Sequence, residues 1–385
     1  MNQTNPPRRP RTEEEIRRAR ARAAYRAKMR KRKQRQQLAA LIGLIVFLAL
    51  IIWGVSALIG KLTGGDDPAQ TSAAATTEAT AEPTTEPEPT LPPVTWMTFE
   101  EGRQMKAQQY FVYDVDADEF VTISGELTET IYPASVTKLF TAYVAMQYLE
   151  PDTVITAGDA LDLVAAGSSV AEIQRGDQVK VETLVEAMLL PSGNDAACIL
   201  AVDAGRILTG DQTLSARAAA DRFVEEMNRQ AQELGMTGSN FANPDGIHRD
   251  NHYTTFADLA ILGKLSLQNP TILKYAQVAR ETVTFENGAQ KQWKNTNATI
   301  DPTSEYYCPY AIGLKTGQTP RAGSCLLSAF ECGGRTLVIG VFGCPETEDR
   351  FADTLQLFNE AMGFETLPGS SVEGTASDAA SVSGG

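Results

Sequence analysis

The chain has 385 residues, 43% of them hydrophobic, and a net charge of −14 that hides a bipolar molecule. Residues 1–37 hold 14 Lys and Arg against Glu13, Glu14 and Glu15, a net of +11, and everything after them sums to −25. A basic arm fits nucleic acid or anionic lipid, and the apolar run that follows at once decides for the membrane and excludes a nucleic-acid role.

Leu38 to Gly60 is 23 residues without a charge. At about 1.5 Å per residue it covers the roughly 30 Å hydrocarbon layer. Val55-Ser56-Ala57 offers a passable cleavage tripeptide. A signal h-region runs only about 7–15 residues, however, and a 37-residue basic leader is long for an n-region, so the span reads as an uncleaved anchor. The arm at 1–37 is then cytoplasmic, 38–60 is a transmembrane helix, and the rest lies outside the membrane. Residues 61–95, rich in Thr, Pro and Glu, read as a disordered linker, and 367–385 as a disordered tail of the same kind. One folded domain, 96–366, remains, large enough for a sizeable core. Its five cysteines (Cys198, Cys308, Cys325, Cys332, Cys344) include no C-x-x-C or Cys/His spacing that suggests a metal. Free buried thiols are expected for most of them.

Within the domain, Tyr110–Val115 and Phe120–Ser124 flank Asp116-Ala117-Asp118-Glu119 and predict a β-hairpin. Pro133 suits a helix start, and Leu139, Ala142, Tyr143, Met146 and Leu149 give Ala134–Leu149 one apolar face. Val181–Leu190 and Asp195–Ile207 read as apolar helices broken at Pro191-Ser192-Gly193-Asn194. Further helices are predicted over Ala218–Leu234, Thr255–Ser266 and Glu348–Ala361. Ser324–Phe330 and Thr336–Phe342 read as strands joined through Gly333-Gly334. Strands at both ends with helices between them predict an α+β domain whose sheet is completed by its two termini.

Three strings in this domain carry chemistry: Ser135-Val136-Thr137-Lys138, Ser192-Gly193-Asn194 and Lys315-Thr316-Gly317. In a helix, i and i+3 share a face, so Ser135 and Lys138 meet. Lysine can activate a serine only when burial or cationic neighbours lower its pKa, and Ala134, Leu139 and Phe140 supply an apolar setting. Ser192 and Asn194, presented from a turn, suit proton relay and substrate hydrogen bonding; the plainer reading makes them caps of the next helix. Lys315 and Thr316 on an exposed strand edge can hold a carboxylate, and Gly317 lets a substrate backbone approach. Each string alone has an ordinary surface or capping explanation. All three in order, each in a helix-start, turn or strand setting, point to one site. The two histidines, His248 and His252, lie in one loop and no G-x-S-x-G occurs, so a Ser-His-Asp triad is poorly supported and His252 reads as structural.

With these strings the chain resembles the low-molecular-mass penicillin-binding proteins, the serine-type D-alanyl-D-alanine carboxypeptidases. The resemblance covers about Tyr110 to Ala361. It extends through Leu189-Leu190-Pro191 before the second string, Leu234-Gly235-Met236-Thr237, Asn243-Pro244-Asp245-Gly246, Asn251-His252-Tyr253 and Ala322-Gly323-Ser324-Cys325-Leu326. It implies the β-lactamase/transpeptidase-like fold, an antiparallel sheet flanked by helices beside a helical lobe. It also implies that Ser135 forms an acyl-enzyme with the penultimate D-Ala of a peptidoglycan stem peptide, and that Lys138 takes its proton. Ser192 and Asn194 would pass a proton to the leaving D-Ala and orient the peptide, Lys315 and Thr316 would hold the terminal carboxylate, and the N–H groups of Ser135 and Gln318 would form the oxyanion hole. β-Lactam antibiotics would be trapped as stable acyl-enzymes, and neither a cofactor nor a metal is implied. The location that follows is the bacterial cell membrane, single-pass, with the catalytic domain outside.

The chain departs from the family pattern in places. Many relatives add a β-rich C-terminal domain and an amphipathic C-terminal anchor, where this chain carries a polar tail, so the N-terminal span is expected to do the anchoring. Gln318 stands where relatives often have Tyr or His, which opens the question of substrate preference. Arg350 is a further candidate for the carboxylate. A class A-like β-lactamase is a poorer reading, because no Asn between 194 and 315 has a Glu four residues before it. A catalytically silent, membrane-tethered wall-binding module is the remaining alternative, and the intact strings argue against it.

Overall fold

The computed structural model describes residues 104–364; the predicted arm, membrane span, linker and tail lie outside those residues. Among the described residues no helix is long and apolar enough to cross a membrane.

The sheet has five strands: β1 (Gln109–Asp114), β2 (Glu119–Ile123), β7 (Ala311–Thr319), β8 (Gly323–Cys332) and β9 (Arg335–Cys344). Their order is β2-β1-β9-β8-β7, and every pairing is antiparallel. The first strand of the domain therefore lies against its last, as the sequence predicted. The hairpin between β8 and β9 turns through Gly333 and Gly334, with φ of +60° and +75°, the two-residue geometry that matches strand twist.

Strand side chains alternate between faces, and here both faces are covered. Phe111, Tyr113, Leu327, Val338 and Phe342 join the core shared with the helical lobe. Val112, Phe330, Leu337, Ile339 and Val341 pack on the other face against helix α7 (Asp349–Met362) through Leu357, Phe358 and Met362. This is why β8 and β9 read as nearly continuous apolar runs.

The helical lobe is built from α1 (Thr137–Ala145), α2 (Val181–Leu189), α3 (Asn194–Thr209), α4 (Ala216–Glu233), α5 (Phe256–Gln268) and α6 (Pro270–Ala276). Ser215 caps α4 by accepting from Ala218 N, and Thr255 caps α5 by accepting from Asp258 N. The lobe begins with a difference from expectation. The segment predicted as one helix from Ala134 to Leu149 is a 3₁₀ turn, Ala134–Val136, followed by α1, which stops at Ala145. Nor is α1 one-faced: from Thr137 to Ala145 only Tyr143 is not buried, because the lobe packs around it on every side. Helix α6 and two small ribbons, β3 (Val154–Thr156) with β4 (Gln178–Lys180) and β5 (Arg280–Thr284) with β6 (Gln290–Lys294), went unpredicted. Their strands are short and largely polar, so their alternation is weak. All five cysteines are free and buried, as expected.

Candidate active site

Ser135 sits in the 3₁₀ turn, and its Oγ accepts a hydrogen bond from Lys138 Nζ at 2.8 Å. The same amine donates to the carbonyl of Asp245 at 2.6 Å. Lys138 is fully buried, and burial pulls its pKa down to about 8 against the opposing pull of Asp245, Cys198 and Asp195. About a tenth of the amine is then neutral at pH 7, enough for it to act as a base.

The turn that aims Ser135 is held from two sides. A Cβ on Gly246 (φ +84°) would lie 1.9 Å from Ala134 O, and one on Gly317 would lie 2.9 Å from Pro133 O and 3.1 Å from Ser135 N. Only glycine admits backbone this close. The third string thus abuts the first directly.

Ser192 and Asn194 are both buried at the α2–α3 join. The cap of α3 is Gly193, and no side chain caps that end, so neither residue is spent on capping. Ser192 is in the left-handed region at φ +65°, and Gly193 N closes the turn onto Ala187 O at 3.0 Å. Asp195 is a buried anchor: its Oδ1 accepts from Ala171 N (2.9 Å) and its Oδ2 from Ile173 N (3.0 Å), which ties the 171–173 loop to this turn.

Lys315 is on β7, the last strand of the sheet, but not on an exposed edge as the sequence predicted. Its side chain is fully buried, because the nucleophile turn and the 295–297 segment cover that edge. Burial, together with Lys138 and Arg350, holds its pKa well below the usual lysine value. Its Nζ donates to Thr316 O at 3.1 Å and stands 3.4 Å from Thr296 Oγ1. Thr316 is buried with its hydroxyl 2.6 Å from Thr296 Oγ1, whereas Gln318 is exposed at the end of the strand. Arg350, at the start of α7, donates from Nη1 to Gly317 O at 3.2 Å and is itself buried.

Thr296 was missed by the sequence reading. It links the strings, since its N–H donates to Leu190 O at 3.1 Å beside the second string while its hydroxyl meets Thr316 of the third. Nothing in Asn295-Thr296-Asn297 signals this, because its partners are 106 and 20 residues away. His252 is structural, as expected. Its Nδ1 accepts from Ala242 N at 3.0 Å, its Nε2 donates to Thr137 Oγ1 at 2.8 Å, and burial lowers its pKa to about 4.

The antiparallel sheet flanked by helices, with this serine–lysine pair beside it, defines a β-lactamase/transpeptidase-like fold. The chain belongs to the D-alanyl-D-alanine carboxypeptidase family (Peptidase_S11), which it matches over residues 96–346. It is 30% identical over 253 residues to D-alanyl-D-alanine carboxypeptidase DacF of Bacillus subtilis, covering 62% of this chain and 58% of that protein. It is 33% identical over 234 residues to the D-alanyl-D-alanine carboxypeptidase of Streptomyces sp. strain K15, covering 58% and 77%. The chain thus spans little more than half the length of the Bacillus relative. Among solved structures, the Streptomyces K15 DD-transpeptidase superposes with a TM-score of 0.61 at 26% identity, over 69% of this chain and 100% of that one. Penicillin-binding protein D2 of Listeria monocytogenes, in its cefotaxime-bound form, superposes with a TM-score of 0.55 at 27% identity, over 68% and 99%.

Proposed function

We propose that this protein is a serine-type D-alanyl-D-alanine carboxypeptidase that trims peptidoglycan stem peptides and is inhibited by β-lactams. The observation that carries the reading is the buried Lys138 amine 2.8 Å from Ser135 Oγ, with its pKa brought down to about 8. In this mechanism Ser135 Oγ attacks the carbonyl carbon of the penultimate D-Ala, and its proton passes to Lys138. Ser192 and Asn194 relay a proton to the departing D-Ala nitrogen and orient the peptide. The N–H groups of Ser135 and Gln318 receive the oxyanion, and Lys315 and Thr316 hold the terminal carboxylate, with Gly317 giving it room. Arg350 adds a second cation beside Gly317. Water then attacks the ester, releasing the shortened peptide and returning the proton to Ser135.

The same proposal puts the enzyme at the bacterial cell membrane, tethered by residues 38–60 with its catalytic domain outside. What supports this is the uncharged 23-residue run behind a basic arm. The reading is tested with a fluorescent penicillin and with D-Ala release from diacetyl-Lys-D-Ala-D-Ala. Both signals should be present in the native chain and absent in Ser135→Ala. Labelling that survives in Ser135→Ala would sink the nucleophile assignment.

A further inference from the structure

Most exposed cations among the described residues are spent on ion pairs, such as Arg222 with Glu225 and Lys264 with Asp118. Arg321 and Arg249 are exposed too, yet among the described residues neither makes an ion pair or a side-chain hydrogen bond. Both belong to segments that frame the nucleophile turn. Arg321 lies in the turn between β7 and β8, which Ala322 N closes onto Thr319 Oγ1 at 3.0 Å. Its guanidinium carbon stands 5.9 Å from the centre of the Tyr132 ring, and Tyr132 precedes Pro133, whose carbonyl lies against Gly317. His248, two residues after Gly246, meets the same ring edge-on at 4.8 Å, and Arg249 follows it.

A guanidinium laid over an aromatic face is steadied by the ring, while its N–H edge stays open to a planar anion. Asp250, fully exposed, stands 3.4 Å from His248 Nε2. Two uncommitted arginines thus sit beside the site in a chain that is strongly acidic after residue 37. The direction of β7 says which part of a substrate reaches Arg321. In the acyl-enzyme reading above, on which this step rests, the terminal carboxylate lies at Thr316 and the oxyanion at Gln318 N. Going along the strand from 316 to 318 therefore runs from the leaving residue to the acyl residue. Past Gln318 the acyl chain heads toward Arg321, three residues on and at most about 10 Å along the backbone. An extended peptide covers that span in about three residues.

We propose that Arg321, stacked on Tyr132, is a specificity-determining residue that pairs a carboxylate on the acyl part of the substrate, about three residues before the scissile bond. The preferred substrate is then an acidic peptide. Arg249 adds a second cation on the loop that carries His248. No bond is made or broken at this seat. It acts on capture of the peptide, so its effect belongs in kcat/KM.

The test measures D-Ala release from acetyl-X-(Nε-acetyl)Lys-D-Ala-D-Ala, with glutamate, glutamine or lysine as the third residue before the scissile bond. The value of kcat/KM should fall in that order. About fivefold should separate the glutamate and lysine peptides, the effect of an exposed pair that is attractive in one and repulsive in the other. Arg321→Glu should reverse the order, and Arg321→Gln should compress the spread to about twofold. Arg222→Gln, which removes a charge from α4, should leave the spread as in the native chain. The ratio is read within each variant, so a general loss of activity or of folded protein cancels. Equal kcat/KM for the three peptides, an order that Arg321→Glu does not reverse, or a spread that Arg222→Gln compresses as much as Arg321→Gln does would overturn the seat. Turnover of diacetyl-Lys-D-Ala-D-Ala and penicillin labelling would still stand in each of those cases. Absence of those two signals in the native chain would instead bring down the acyl-enzyme reading and this seat with it.

Discussion

Each of the three strings has one non-glycine residue in the left-handed region: Ala134 just before Ser135 (φ +46°), Ser192 itself (φ +65°), and Leu314 just before Lys315 (φ +85°). An L-residue pays about 1–2 kcal/mol for that conformation. Strain held at all three places means that the surrounding contacts fix the backbone beside Ser135, at Ser192 and beside Lys315. At Lys138 the cost is electrostatic instead. Its folded pKa of about 8 lies below the value of an exposed lysine, so the folded state binds fewer protons than the unfolded chain between about pH 8 and 10.5. Stability from this group is therefore lowest below pH 8 and is regained as pH rises through that window. In the proposed mechanism catalysis follows the same titration. The rate of penicillin acylation should climb about tenfold per pH unit below about 7.5 and level off above about 8.5. A stopped-flow pH profile that is flat from 6 to 9 would remove Lys138 as the base.

At the scale of elements, β7 and the 134–136 turn meet backbone to backbone through Gly317, and the 243–247 loop meets the same turn through Gly246. Gly246→Ala should cost about 2 kcal/mol or more, lowering Tm by several degrees, and should slow penicillin acylation more than tenfold. Gly334→Ala, also at positive φ but with nothing within 4 Å of the added carbon, is the control. It should cost about 1 kcal/mol and leave acylation unchanged. Equal acylation losses in both variants would mean that Gly246 has no part in aiming Ser135. Much at this scale was legible in advance. The β1–β2 and β8–β9 hairpins, α3, α4, α5 and α7 follow from alternation, periodicity and turn glycines. The segment from Ser135 through α1 was misjudged in length and facing, because the turn depends on the distant Gly246 and α1 is buried by five other helices. Thr296 and the burial of Lys315 were invisible for the same reason: each rests on neighbours far away in sequence.

For the whole molecule, the described residues 104–364 hold all three strings, so the chemistry should be separable from any anchor. A fragment covering 96–366 should stay in the soluble fraction and label with fluorescent penicillin as well as the full chain does. The full chain should sediment with membranes and resist carbonate extraction. A full chain recovered in soluble form would refute residues 38–60 as an anchor.

The sequence by itself determined the α+β order, the family, the serine–lysine pairing and the residues of the three strings. These depend on residue type, short spacing and local periodicity, which a linear chain displays directly. The tertiary structure alone decided that Lys138 and Lys315 are buried cations with lowered pKa values, that Thr296 joins the second string to the third, and that Arg321 stacks over Tyr132 beside the nucleophile turn. Burial and proximity across a hundred residues arise only when the chain closes on itself, and they set the dielectric and hydrogen bonds that lower the pKa of a surface-type lysine.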